Sequence, residues 1–205
     1  MGQGVTAKTF YRTEAHGLPF DPLKAIVAPR PIGWISAYDR NGTSSLSPYS
    51  FFNLVSDRPK IVMFSSVGWK DAATHAAGRG AFAANLVTRD DLERMNASSA
   101  NIPSGVSEFE AFGIPEARCR LVDAPMVADA VATLECAVTQ VIEPVDMHGR
   151  PSSAVMVLGQ VVGYHIADAA MRDGRFDTAG AEPASRLGYM DYSVTDETFT
   201  LNRPG

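Results

Sequence analysis

The break Asp39-Arg40-Asn41-Gly42, set between two β-type runs, constrains the fold of this chain more than any other stretch. Asn-Gly between alternating apolar residues is a strong local hairpin signal, because both residues tolerate positive φ. The run before the break, residues 31–38, supplies Ile32, Trp34 and Ile35 and then Ser36. The run after it, residues 46–53, interleaves Pro48, Tyr49, Phe51 and Phe52 with Ser47, Ser50 and Asn53. A strand pair with a purely structural task has no need of so many hydroxyls and amides among aromatics. These residue types suit a flat anionic group held by apolar walls and a few polar contacts.

The rest of the pattern extends the β reading. Residues 1–24 mix polar residues with Gly17, Pro19 and Pro22 and are expected to form an N-terminal arm, after which the pattern turns β from Ala25. Asp57-Arg58-Pro59 breaks the chain again, and residues 60–66 read as a buried strand. Residues 71–79 are alanine-rich and read as a helix, with Asp71 as N-cap and Gly78 and Gly80 as terminators. Residues 81–88 return to β. A second helix is expected over 89–98, with acidic residues in the first turn as the helix dipole favours. Residues 101–119 form a Gly-, Pro- and Ser-rich excursion with at most one helical turn, anchored by Phe109 and Phe112. Strands follow over 130–142 and 153–165, with a weaker one near 198–201. Short strands, few helices and frequent turns predict a mainly β architecture with peripheral helices, a small antiparallel barrel. Strands and helices do not alternate regularly, which argues against a doubly wound parallel sheet.

At 205 residues the chain is long enough for one domain, residues 1–205, with a self-sufficient core. No apolar run approaches the roughly 20 residues that span a bilayer, so no membrane association is expected. The first residues carry charges and no apolar segment, unlike a secretory signal, which makes the cytoplasm the expected compartment. Cys119 and Cys136 then read as reduced thiols. A net charge of −5 without a basic cluster lacks the footprint of a nucleic-acid binder. His16, His75, His148 and His165 show no metal-ligand spacing and have no cysteine partner nearby, so no metal site is expected.

Three motif matches fail on context. Gly2-x-Gly4-x-x-Ala7 spells a dinucleotide fingerprint, but no strand precedes it. Asn41-Gly42-Thr43 and Asn96-Ala97-Ser98 spell glycosylation acceptors, but no secretory signal accompanies them. No Gly-x-Ser-x-Gly elbow offers a nucleophile.

A candidate anion site lies where the alanine-rich helix starts. The Lys70 ammonium, the free amides of the first turn and the positive end of the dipole converge there, and Ser65 and Ser66 end the preceding strand. Two readings stand for Lys70, a phosphate ligand or a solvated residue at a helix start. Arg30 has two as well, a cation on the wall of the binding site or a partner for a carboxylate. Arg186 lines the site or caps the barrel, and Trp69 packs or touches a cofactor.

Arg30-Pro31-Ile32-Gly33-Trp34-Ile35-Ser36, then Pro48-Tyr49-Ser50-Phe51-Phe52-Asn53, then Phe64-Ser65-Ser66 with Lys70-Asp71, together resemble the flavin reductase-like family of FMN-binding split barrels. The likeness continues through residues 82–86, 159–166 and Arg186-Leu187-Gly188 with Tyr192, covering roughly residues 18–195 in order. Within the family it is nearest to flavoredoxins and to the reductase components of nitrilotriacetate-type two-component monooxygenases. The resemblance implies a six-stranded split β-barrel, a homodimer, and FMN near the subunit interface. By the same resemblance Ser36 and Ser50 contact the cofactor, Asn53 hydrogen-bonds nearby, Lys70 faces the phosphate, and Trp34 with its neighbour Ile35 and Tyr49 border the flavin or its ribityl chain. Ser65 and Ser66 add donors.

The implied activity is an FMN-dependent oxidoreductase that takes hydride from NADH or NADPH and serves a monooxygenase or other redox partner protein. In such an enzyme the flavin N5 accepts the hydride and the protein binds and orients, so no catalytic side chain is named. The alternatives are a flavoredoxin-like FMN electron carrier with no nicotinamide site of its own, and a barrel that binds no flavin. This chain departs from the family pattern at Ser45, at Ala72 and His75 where Thr and Asn are usual, and at Tyr189 where a second glycine is usual. The missing hydroxyl at 72 removes one phosphate donor, worth about 0.5–1.5 kcal/mol.

Overall fold

The computed structural model describes residues 7–103 and 105–204, so the first residues of the expected arm and the Gly2-x-Gly4 match lie outside the described part. Seven antiparallel strands form the main sheet, in the spatial order Ser44–Tyr49, Gly33–Tyr38, Ala81–Leu86, Ala132–Ile142, Ala154–Ile166, Lys60–Val67, Phe52–Asp57. The resemblance implied six strands. The seventh arises because the chain continues past Phe51 as Phe52–Asp57 and pairs with Lys60–Val67 through the turn at Arg58 and Pro59.

The two edges of this sheet are neighbours in sequence, which dictates its shape. Laid flat, six inter-strand spacings would separate them by roughly 29 Å. Tyr49, which ends one edge strand, and Phe52, which starts the other, are three residues apart and can span at most about 11 Å. The sheet must therefore curl until its edges almost meet, a barrel split along the seam that Ser50 and Phe51 bridge. Ile35, Ala37, Phe64, Phe82, Cys136 and Val157 fill the interior, with the Phe64 and Phe82 rings edge to face at 5.2 Å. Ile32, Trp34 and Leu46 point the other way, as strand alternation requires, and pack with Val87, Met95, Phe109 and Val127. All six positions of Gly33–Tyr38 are buried.

The hairpin forms where Asn41-Gly42 placed it, with Tyr38 opposite Ser44. Only Gly42 uses positive φ, at 91°. The Asp39 carboxylate braces the turn, accepting from the Asn41 and Thr43 amides at 2.8 Å each.

The helix Asp71–Arg79 ends at Gly80, as expected, but Lys70 and not Asp71 is its N-cap, extended at φ −78° and ψ 169°. Ala72, Ala73 and Ala76 are buried, small enough to bring the helix close to the barrel wall. The expected 89–98 helix divides into a 3-10 turn Arg89–Asp91 and a helix Leu92–Ala97, because Asp91 turns back to accept from the Thr88 amide and hydroxyl at 2.8 Å each. The 101–119 excursion holds the single helical turn Glu108–Ala111 and also a strand, Glu116–Arg118, which pairs with Pro125–Val127.

Both ends of the chain differ from expectation. Leu23–Ile26 is a helical turn where the β pattern was to begin. It is stabilised from a distance, since the Arg30 guanidinium donates to the Lys24 and Val27 carbonyls. Near the other end the strand is Tyr192–Val194, not 198–201, because Ala184–Arg186 is available to pair with it. That segment also pairs with Arg30–Pro31, giving a three-stranded sheet at the seam end of the barrel. Gly188 packs directly on the helical turn, where a Cβ would come within 2.5 Å of the Ala25 Cβ. Among the described residues no helix is long and apolar enough to cross a membrane.

Candidate functional site

The seam opens onto a cavity of about 440 Å³. Its walls come from the end of one edge strand (Pro48, Tyr49), the bridge (Ser50, Phe51), the neighbouring strand (Ser65, Val67), Lys70 at the helix start, and Arg186, Tyr189 and Tyr192 from the C-terminal sheet. Lys24, Arg30, Lys70 and Arg186 all line it, and no carboxylate does. None of these four cations has a carboxylate within ion-pair distance among the described residues. In a chain of net charge −5 this is a local concentration of positive potential, which favours an anionic occupant.

Arg30 is the most constrained of the four, at 8% exposure. Its two terminal nitrogens donate to the carbonyls of Lys24, Val27 and Leu187, the last at 2.7 Å. Its Nε is buried with no partner. Carbonyls fix a guanidinium without neutralising it, so Arg30 is a rigid cation with one unclaimed donor. Arg186 lies 4.3 Å from the Tyr192 ring centre and donates to the Tyr189 carbonyl at 2.7 Å. At the opposite end Lys70 sits exposed on the extended residue before the helix, beside first-turn amides that have no partner within the helix.

The Tyr49 ring lies 5.0 Å from that of Phe64, tilted by 49°, and burial raises its phenol above the ordinary value, keeping it a neutral donor. Glu108, which accepts the Leu46 amide at 2.9 Å beneath this wall, also has its carboxyl raised by burial.

The sequence-derived residues divide into two groups. Arg30, Tyr49, Ser50, Ser65 and Lys70 meet at this cavity. Asn53 lies on the wall of a second, adjoining cavity, where its own amide oxygen accepts from Leu54 at 2.8 Å. Ser66 is buried behind the wall with its hydroxyl unpartnered. Trp34, Ile35 and Ser36 line neither cavity and are fully buried. Trp34 donates to the Ser98 hydroxyl at 2.9 Å, and Ser36 donates to the Pro125 carbonyl at 2.7 Å while accepting from Asn85 at 3.1 Å.

His75, which stands at a departure from the family pattern, is turned away from the cavity and bonded at 3.0 Å to Ser45, another departure. Lys24, Phe51 and Tyr192 were not singled out as contacts from the sequence. Phe51 sat inside the quoted motif, whereas Lys24 carried no signal at all.

The family model for the flavin reductase like domain matches residues 27–191. An uncharacterized protein of Halalkalibacterium halodurans is 34% identical over 188 residues, 89% of each chain. The solved nitrilotriacetate monooxygenase component B of Bacillus cereus superposes with a TM-score of 0.81 at 27% identity, covering 87% of this chain and 90% of that one. A Shewanella frigidimarina structure with a split barrel domain superposes with a TM-score of 0.78 over 89% of this chain and 90% of its own, at 19% identity a likeness of fold alone.

Proposed function

The chain belongs to the flavin reductase-like domain family, and from that premise we propose that it binds FMN at the seam cavity and acts as an NAD(P)H-dependent flavin reductase of a two-component system. One observation carries the proposal: among the described residues, four cations without a carboxylate partner, and no carboxylate, surround a cavity of about 440 Å³ walled by Tyr49, Phe51, Tyr189 and Tyr192. The volume is that of a small-molecule site, and a phosphate calls for charge-assisted donors.

Lys70 and the helix-start amides would hold the phosphate. Ser50 and Ser65 would orient the ring system through their hydroxyls, and the aromatic walls would exclude water from its faces. Arg30, fixed in place, would stabilise negative charge without moving, and Tyr49 would donate a hydrogen bond. When bound, FMN supplies an N5 that accepts a hydride. No side chain is assigned to the chemical step.

The likeness to a monooxygenase component supports a redox partner protein for this chain too, and we extend the proposal to a homodimer in the cytoplasm. The test is anaerobic reduction of FMN-loaded protein by NADH and NADPH, followed by flavin absorbance. Bleaching by either nicotinamide supports the reductase. Stoichiometric FMN that neither nicotinamide bleaches, but that a redox protein does, overturns it in favour of an electron carrier.

A further inference from the structure

Just outside the proposed phosphate end of the seam cavity stands an aromatic side chain that the proposed function leaves unused. Val67 and Lys70 line the cavity, and Trp69 between them does not. Its indole is 53% exposed and pinned all the same, since Nε1 donates to Oε1 of Glu143 at 2.8 Å across 74 positions. The backbone beneath it is pinned as well. Gly68, at φ 72°, donates to the Ser153 carbonyl at 2.7 Å, and the Lys70 amide donates to the Gly68 carbonyl at 3.0 Å. Among the described residues nothing donates to the second Glu143 oxygen, Oε2.

We propose that Trp69 and Glu143 form an adenine platform, which takes the adenylate half of a dinucleotide whose phosphate lies at Lys70. A tie between Glu143 and the helix start alone would need no aromatic residue, because a lysine or a serine at 69 could donate to the same carboxylate without leaving an apolar face in water. A fixed aromatic face stacks on any base, and fixing it beforehand removes the entropy of ordering it on binding. The carboxylate at its edge then selects the base. A free oxygen accepts from the exocyclic amine of adenine and repels the exocyclic carbonyl of hypoxanthine. The same oxygen repels phosphate, which sets the base on Trp69 and the phosphate on Lys70.

The bonding of Trp69 and Glu143 stands without the function proposed above, whereas the source of the adenine rests on it: the flavin itself, as FAD, or the hydride donor. The chain has two tryptophans and Trp34 is fully buried, so the fluorescence of an exposed indole reports Trp69. In flavin-free protein AMP should quench that signal saturably, with an affinity at least about tenfold above that of inosine monophosphate. Glu143→Gln keeps an oxygen for the indole and makes the other atom a donor, so the preference for AMP should vanish or reverse. Trp69→Ala should weaken FAD by about tenfold with FMN held within about twofold where the flavin supplies the adenine. Where the hydride donor supplies it, the same variant should raise the KM of NADH by a similar factor and leave that of reduced nicotinamide mononucleotide unchanged. Trp69→Phe should restore part of either loss.

Quenching by AMP in a protein that binds neither FMN nor FAD would remove the flavin reading and leave the platform standing. Absence of quenching, or equal affinity for AMP and inosine monophosphate, would overturn the adenine assignment whether or not FMN binds. Flavin binding with both ratios unmoved in Trp69→Ala would overturn the dinucleotide. Equal loss of FMN and FAD in that variant would overturn the separation of the platform from the flavin's own contacts.

Discussion

Arg30 and Glu135 are both charged and both nearly sealed from solvent, yet they are held in opposite ways. The Glu135 carboxylate accepts from the amides of Arg120, Leu121 and Val122 at 2.8, 2.6 and 3.1 Å and from the His165 ring. Burial alone would raise its pKa, but these donors outweigh burial and hold the carboxyl below its usual range. Arg30 is fixed by three carbonyls, meets no carboxylate, and retains a donor facing no acceptor. A buried charge whose bonding capacity is fully used belongs to the architecture. Arg30 is a buried charge answered only by carbonyls, so it keeps its positive potential at the cavity wall.

The largest expected effect breaks the architectural member of the pair. Glu135→Leu strands three amides and should cost about 3–5 kcal/mol, lowering Tm by roughly 6–20 °C, with FMN affinity unchanged. A drop of less than about 2 °C in a thermal melt would show that the 120–122 loop does not depend on this carboxylate.

The pH dependence follows from the sign of the shift. With a folded pKa below the unfolded value of about 4.3, Glu135 contributes stability that is present above that pH and lost as pH falls through the folded value. Glu135→Gln should therefore be less stable than the parent at neutral pH. The difference between the two should narrow on acidification, as read from denaturant midpoints between neutrality and acid.

Next comes the proposed phosphate end of the seam. Lys70→Ala should weaken FMN binding by about tenfold, while Arg79→Ala, whose side chain pairs with Asp123 at 3.2 Å and with the Asp39 carbonyl, should leave it unchanged. Equal dissociation constants in a fluorescence titration would remove Lys70 from the phosphate. Smallest is Ser36→Ala, expected to cost about 1 kcal/mol of stability with little change in FMN affinity. A clear loss of FMN affinity without loss of Tm would instead draw Ser36 into the site.

The same contrast explains which parts of the molecule could be read in advance. Local chemistry was legible: the Asn41-Gly42 turn, the Gly80 stop, and the cluster Tyr49, Ser50, Ser65, Lys70, which the barrel seam brings together. The barrel itself is implicit in the two residues between Tyr49 and Phe52, which allow the sheet edges no other distance. Hydroxyls and aromatics that find partners far along the chain were not legible. Ser36 carries the same hydroxyl as Ser50, and Trp34 is an aromatic donor as Tyr49 is, but Pro125 and Ser98 claim them across 89 and 64 positions. Lys24 was invisible for the converse reason, since it reaches the cavity only because the Leu23–Ile26 turn is folded back onto residues 187 and 188. Glu135 resembled any strand glutamate until the 120–122 loop closed over it.

Gly188 gives that folding-back a consequence for how the site could be moved or borrowed. Its missing side chain lets the Ala25 backbone sit where a Cβ would be 2.7 Å from the Ala25 Cα, and Leu187 receives the Arg30 guanidinium across 157 positions. Residues 25–30 and 187–188 are thereby riveted together over the seam. Grafting the 31–53 hairpin onto another barrel would carry most of the quoted motif and leave behind all four cations. Trimming either terminal segment would open the same wall from opposite sides.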